Sequence, residues 1–270
     1  MNFELIMIGT GSAFPKHSYN SCYVIKSHGG LMLVDAGGGN GIFNAINESG
    51  IKLSEIHHIF ITHTHTHTDH ILGAVWLIRG IINMSKDGES CGSLHVYGNS
   101  SVCNALRLIC QLTFLALDYE LFTKNVELVE ISDESSLAIN DTLIECFDVC
   151  SKNVVQTGFR MTFGCGEKLV CLGDESLTED NLRKIQGCDT LICGAFCRYE
   201  DKDTYKPYEK HHHTVRDVAI LAEKAKVKNL VLVHSEDDNL EKRQGLYKTE
   251  ASKYYSGNVF IPVDGERLVF

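Results

Sequence analysis

The fold is decided by the stretch Ile61-Thr62-His63-Thr64-His65-Thr66-His67-Thr68-Asp69-His70. Its last eight residues hold four imidazoles and a carboxylate. Neutral imidazole nitrogens and carboxylate oxygens are the ligands that zinc, iron and manganese take. In an extended segment, residues two apart project to the same side, so His65 and His67 can share one ion. Asp69 and His70 come as the chain turns into the next helix and can face a second ion. An apolar strand candidate, Ile56 to Thr62, precedes the run, and an apolar helix candidate, Ile71 to Ile82, follows it. A purification tag would not be embedded in this way. His63 extends the alternation by one step; it could share the side of His65 and His67 and supply a further imidazole to their ion, although an exposed or supporting role is the expectation.

Working outward, Leu5-Ile6-Met7-Ile8 reads as a strand running into the turn Gly9-Thr10-Gly11-Ser12. Cys22 to Ile25 and Leu31 to Val34 read as a hairpin, and Asp35-Ala36-Gly37-Gly38-Gly39 ends its second strand. Short helical periodicity runs from Ile42 to Ile46. Val102, Ala105, Leu106, Ile109 and Leu112 mark a further helix. Strands are expected at Val126 to Ile131, Leu143 to Val149, Gly158 to Phe163, Leu169 to Leu172 and Thr190 to Cys193. Thr214-Val215-Arg216-Asp217 reads as a capping box opening an amphipathic helix. Leu230-Val231-Leu232-Val233 is apolar throughout, as in a buried sheet, and stops at His234. Strands and helices occur in two similar halves, which suits two packed sheets with helices outside. No repeat or linker breaks the chain, so one domain over 1–270 is expected.

The 270 residues carry a net charge of −10, with 44% hydrophobic residues, enough apolar material for a large core. An acidic surface repels phosphate backbones, so a nucleic-acid partner is not expected. A small anionic ligand remains compatible if a metal supplies local positive charge. No apolar run reaches about 20 residues, so no membrane span is expected. The first residues lack a basic region and a cleavage site, and a cytosolic chain is expected. Eleven cysteines, none spaced Cys-x-x-Cys, sit mostly in apolar runs and read as reduced core residues.

Further ligands are expected at strand ends. Asp174 follows an apolar strand and a glycine, where its carboxylate can bridge two cations, and His234 closes the most apolar strand. With His65-x-His67-x-Asp69-His70, Gly173-Asp174, His234 and Asp35-Ala36-Gly37 in place, the chain resembles the metallo-β-lactamase-fold superfamily over nearly its whole length. The resemblance implies a four-layer αββα sandwich with metals at one edge of the two sheets. It implies that His65 and His67 bind a first divalent ion, that Asp69, His70 and His234 bind a second, and that Asp174 bridges them. The ions would be zinc, iron or manganese, and Asp35 would support rather than ligate.

The family's third histidine for the first metal is missing. Cys150 stands where it is expected, ahead of Gly158-Phe159-Arg160, either as a thiolate ligand or leaving that metal short of one. In related hydrolases a histidine on the segment of His211-His212-His213 contacts substrate or donates a proton; here His212 or His213 would do so. Lys206 and Lys210 nearby suit a phosphate.

Two activities follow as expectations. The first is a metal-dependent hydrolase acting on a small anionic substrate, more a phosphodiesterase than a lactamase. A metal-bridging hydroxide, oriented by Asp69, would be its nucleophile. Ribonuclease Z is a weaker variant, because of the acidic balance and the lack of an evident RNA-docking arm, and glyoxalase-type thioester hydrolysis stays open. The second is a non-haem diiron oxygen-binding sensor taking dioxygen, since the same fold carries diiron centres in flavodiiron proteins. Those carry glutamate where His67 stands here, and the histidine-rich set favours hydrolysis. Assembly as a homo-oligomer is compatible with either.

Overall fold

Apolar alternation and glycine-marked turns build the strands of this chain, in a computed structural model that describes residues 3–28, 30–64, 68–89, 92–139, 141–152 and 154–270. The first sheet contains β1 (Phe3–Gly9), β2 (Cys22–Ser27), β3 (Gly30–Val34), β4 (His58–Phe60), β5 (Leu94–Gly98) and β6 (Val126–Glu130). The second contains β7 (Ser136–Ile139), β8 (Thr142–Asp148), β9 (Thr157–Thr162), β10 (Lys168–Cys171), β11 (Thr190–Gly194), β12 (Asn229–Val233) and β13 (Asn258–Phe260). The last strand, β14 (Arg267–Val269), returns to the first sheet, beside β1. Helices α1 (Ile42–Glu48), α2 (Leu72–Lys86), α3 (Ser100–Thr113) and α4 (Ala116–Asn125) accompany the first sheet. Helices α5 (Lys202–Tyr205), α6 (Val215–Ala225) and α7 (Leu240–Ala251) accompany the second. The architecture is the αββα metallo-β-lactamase fold.

The two sheets repeat one plan. The first runs β14-β1-β2-β3-β4-β5-β6, with three antiparallel pairings followed by three parallel ones. The second runs β7-β8-β9-β10-β11-β12-β13 with the same succession. Hairpin turns suffice for the antiparallel half, whereas the parallel half needs crossovers, which is where most of the helices occur.

The chain divides into two compact units. One comprises the segment ending at Gly9, Tyr19–Ser132 and Asp264–Phe270; the other comprises Thr10–Ser18 and Asp133–Val263. In the first, Val24, Leu33, Ile59 and Val96 pack with Ala74, Leu77, Ile78 and Ile81 of α2. In the second, Val170, Leu191, Leu230 and Leu232 pack with Val218, Ala219 and Ala222 of α6 and Tyr247 of α7. Among the described cysteines eight are buried and unbonded, as the apolar runs around them suggest, while Cys150 and Cys165 are exposed. Among the described residues no helix is long and apolar enough to cross a membrane.

The expected strand Ile56 to Thr62 shortens to β4, His58–Phe60. Beyond Phe60 the backbone finds other partners: Ile61 N–H donates to the Tyr97 carbonyl at 2.9 Å, and Thr62 N–H to Asp35 Oδ1 at 2.8 Å. A side chain thus takes over from the ladder. Helix α7 has no clear apolar stripe in sequence. It is held through Arg243, 1% exposed, whose guanidinium donates to Thr10 Oγ1 at 2.9 Å and to the Pro262 carbonyl at 3.0 Å.

Candidate metal centre

Several strands end the same way. Asp35 after β3, Cys150 after β8 and His234 after β12 all lie in the left-handed region, with φ of 55°, 64° and 54°. Gly173, two residues past β10, has φ of 68°. Non-glycine residues seldom adopt this conformation, and where they do the strain accompanies functional sites. Each such turn breaks the strand's alternation and re-aims the side chains around it.

In the first unit the buried carboxylate of Asp35 organises the segment around the histidine run. Its Oδ1 accepts from Thr62 N–H, and its Oδ2 accepts from Thr62 Oγ1 at 2.9 Å and faces His70 Nδ1, also at 2.9 Å. Asp35 thus touches both the residue before the histidine run and the run's last imidazole. With Asp35 holding the Nδ1 side, the His70 ring presents Nε2, which lies 3.3 Å from Asp69 Oδ2; both side chains are buried. A nitrogen lone pair and a carboxylate oxygen this close repel unless a proton or a metal cation lies between them. The donor set therefore fits a divalent metal, and the carboxylate–histidine pairing is the arrangement that orients a metal-binding imidazole. His63, expected to be exposed or supporting unless it supplied a further imidazole, is buried at 2% exposure, with its ring centroid 4.3 Å from that of His70. The alternation that begins at His63 was the signal for it. His65 and His67 lie outside the described residues.

The loop after Asp35 is laced to α2. Ala36 N–H donates to the His70 carbonyl and Gly73 N–H to the Gly37 carbonyl, each at 2.9 Å. Gly73 is required there, because a methyl would overlap the Ala36 carbonyl oxygen. Tyr19 closes the other side, its hydroxyl 3.1 Å from the carbonyls of both Ala36 and Gly39.

In the second unit Asp174 Oδ1 accepts from Gln156 Nε2 at 2.7 Å, while Oδ2 lies 3.7 Å from Nε2 of the buried His234. Gln156, itself buried, is a functional candidate that no motif marked. The His212 ring stands 5.0 Å from that of His234 and stacks on Phe196 at 5.2 Å. His213 N–H donates to Ser176 Oγ at 3.2 Å.

A cavity of about 290 Å³ opens in this unit, lined by Cys150, Lys152, Glu175, Tyr208, His212 and His213 among others. Burial lowers the His213 pKa, opposed by Asp217 and aided by Lys152. Burial, and then the neighbouring Asp174, push the Glu175 carboxyl up to about 7. Cys150 exposes its thiol at this cavity, and burial and then Asp148 raise its pKa. Lys206 and Lys210 are not among the lining residues; Lys210 instead lies 4.7 Å over the Phe196 ring.

Residues 3–256 match the family described as anti-Pycsar protein Apyc1. A relative from Bradyrhizobium sp. (strain ORS 278), ribonuclease Z, is 27% identical over 278 residues, covering 86% of this chain and 89% of that protein. Among solved structures, the metallo-β-lactamase fold protein YhfI from Bacillus subtilis superposes with a TM-score of 0.78 at 17% identity. Coverage is 99% of both chains. A diphosphatase from the PhnP family gives 0.72 at 18% identity, covering 99% of this chain and 97% of the other.

Proposed function

Because the chain belongs to the anti-Pycsar protein Apyc1 family, we propose that it is a metal-dependent hydrolase of phosphodiester bonds. The observation that carries this reading is the buried set Asp35–His70–Asp69, in which one carboxylate holds Nδ1 and Nε2 faces a second. The metal ligands are drawn from His65, His67, Asp69, His70, Cys150, Asp174 and His234, with His63 as a further donor. Divalent ions there would supply Lewis acidity, lowering the pKa of water and offsetting negative charge at phosphorus.

The protein's own groups do the rest. Asp35 fixes the His70 ring and its tautomer, and Gln156 fixes the carboxylate of Asp174. Tyr19 and the Gly37–Gly73 backbone bond hold the turn on which Asp35 sits. His212 and His213 stand at the cavity wall, where a general acid for a leaving alkoxide is required. Relatives named ribonuclease Z and diphosphatase support phosphoester chemistry over attack on a carbonyl. They also weaken the exclusion of nucleic acid drawn from net charge, since a metal site can hold phosphate on an acidic chain.

The test is hydrolysis of bis(p-nitrophenyl) phosphate by protein loaded with manganese or zinc, alongside metal stoichiometry by elemental analysis. Turnover abolished by chelation and restored by metal is expected. Background rates with metal loaded, together with iron whose optical spectrum changes on admitting air, would replace this reading with the oxygen-binding one.

A further inference from the structure

Ahead of α6 the chain makes a short strap at the cavity of the second unit. Lys206 and His211 both lie in the left-handed region, with φ of 52° and 63°, and Pro207–Lys210 forms a tight turn between them. Neither is a glycine, so each end of the strap keeps its conformation only because its surroundings fix it. The strap leads directly into His212 and His213, and Tyr208 and all three histidines line the cavity. His211 N–H donates to the Tyr208 carbonyl at 3.3 Å and His212 N–H to the Pro207 carbonyl at 2.9 Å. Strap and histidines are therefore one hydrogen-bonded piece.

One side chain ties this piece to the helix that follows. The Tyr208 hydroxyl donates to Asp217 Oδ2 at 2.5 Å. The same oxygen accepts from Thr214 N–H at 3.2 Å and from Thr214 Oγ1 at 2.7 Å, in the capping box of α6. Helix α6 is a fixed anchor, because Val215, Val218, Ala219 and Ala222 are buried. Burial, and then the bond to Asp217, push the Tyr208 phenol up to about 12, so it remains a donor at neutral pH. The Tyr208 ring is 47% exposed, so packing alone does not place it. Its centroid lies 6.1 Å from that of His213, with the two rings nearly perpendicular. At the end of the strap, Lys210 lies 4.7 Å from the centroid of the Phe196 ring, on which His212 stacks. A ring half in solvent adds little to the core, and what its hydroxyl fixes is the position of the segment.

We infer that Tyr208 is a positioning residue of the hydrolytic site. Its hydroxyl on Asp217 latches the strap, and the latch sets His212 and His213 where a proton must reach the leaving group. The inference rests on the hydrolase reading above. In that reaction water adds its hydroxide to phosphorus, and the bond from phosphorus to the leaving oxygen breaks with its electron pair. Water's remaining proton ends on that oxygen by way of an imidazole. A leaving group that departs as a stable anion needs no such proton, whereas a basic one does. Loss of the latch is therefore felt according to the basicity of the leaving group. Removing a hydrogen bond to a charged acceptor shifts an open–closed equilibrium by roughly tenfold or more.

Tyr208→Phe removes the hydroxyl and keeps the ring. The manganese- or zinc-loaded full chain is assayed on bis(p-nitrophenyl) phosphate, whose leaving group needs no proton, and on diphenyl phosphate, whose phenolate is basic. With diphenyl phosphate the variant should lose about tenfold or more in kcat at little cost in KM. With bis(p-nitrophenyl) phosphate its kcat should change by less than about twofold. Hydrogen-exchange mass spectrometry, which needs no turnover, should show the amides of His211 and His212 exchanging about tenfold faster while those of α6 are unaffected. Equal losses on both diesters would overturn the inference, and so would unaltered exchange. A rise in KM alone would also overturn it, marking the hydroxyl as a substrate contact. These outcomes, with the unmodified protein active, strike the latch and leave the hydrolase reading standing. If the unmodified, metal-loaded protein turns over neither diester, the hydrolase reading falls and the positioning role falls with it.

Discussion

Asp35 and His70, 35 residues apart in sequence, meet with Oδ2 2.9 Å from Nδ1, both side chains nearly devoid of solvent. The left-handed turn at Asp35 and the turn that leads from His70 into α2 bring these two side chains together. Everything proposed for the first unit depends on the imidazole being held from this side.

Replacing Asp35 with asparagine keeps the shape and removes the charge. Supporting carboxylates of this kind are worth roughly 10–100-fold in metal affinity. Asp35→Asn is therefore expected to weaken zinc binding by that factor, measured by competition with a chromophoric chelator. Unchanged affinity with the fold intact would show that His70 binds no metal.

Gly194, the last residue of β11, leaves room for the backbone of Asp174, and a methyl there would overlap the Asp174 carbonyl oxygen. Overpacking of this kind costs about 1–3 kcal/mol. Gly194→Ala should lower the melting temperature by several degrees and disturb Asp174. The neighbouring Gly187, with open space around its Cβ position but φ of 73°, offers a control. There an alanine strains the backbone without touching Asp174, so metal affinity should fall for the first variant alone.

Cys150 occupies a left-handed turn, a conformation that histidine tolerates better than most side chains. If the thiol stands in for an imidazole, Cys150→His should tighten binding of the weaker metal by about tenfold, the scale on which even the outer partners of a metal ligand act. Isothermal titration of the metal-free protein reads this directly, and an unaltered isotherm would remove Cys150 from the ligand set.

The capping box of α6 predicts an acid-sensitive stability. Burial alone would raise the Asp217 pKa, but hydrogen bonds from Tyr208 and Thr214 outweigh it, and the net shift is downward. A depressed folded pKa stabilises the native state above the unfolded carboxylate value of about 3.9, and that stability is lost as pH falls through the lower folded value. Thr214→Ala should cost about 1 kcal/mol at pH 7. Thermal melts should show the advantage of the unmodified protein over Asp217→Asn shrinking below pH 4. An advantage that grows in acid would contradict the assignment.

Much of this was legible before any coordinates. The hairpin of β2 and β3, the strands β8 to β12, the helix α2 and the capping box of α6 follow from local apolar period and from short-range hydrogen-bond chemistry. Strand β5 and helices α4 and α7 were not legible. Their apolar residues lack a regular period, and α7 owes its place to buried Arg243 and Tyr247.

The amino-acid order alone fixed the histidine run, its place between strand and helix, and the glycines that let backbones approach, because these are properties of neighbours along the chain. Only tertiary structure decided that Asp35 holds both Thr62 and His70, that His63 is buried against His70, and that Gln156 binds Asp174. Those contacts join residues on separate strands and loops. Periodicity reports which way a side chain leaves its own backbone, and it says nothing of what stands opposite.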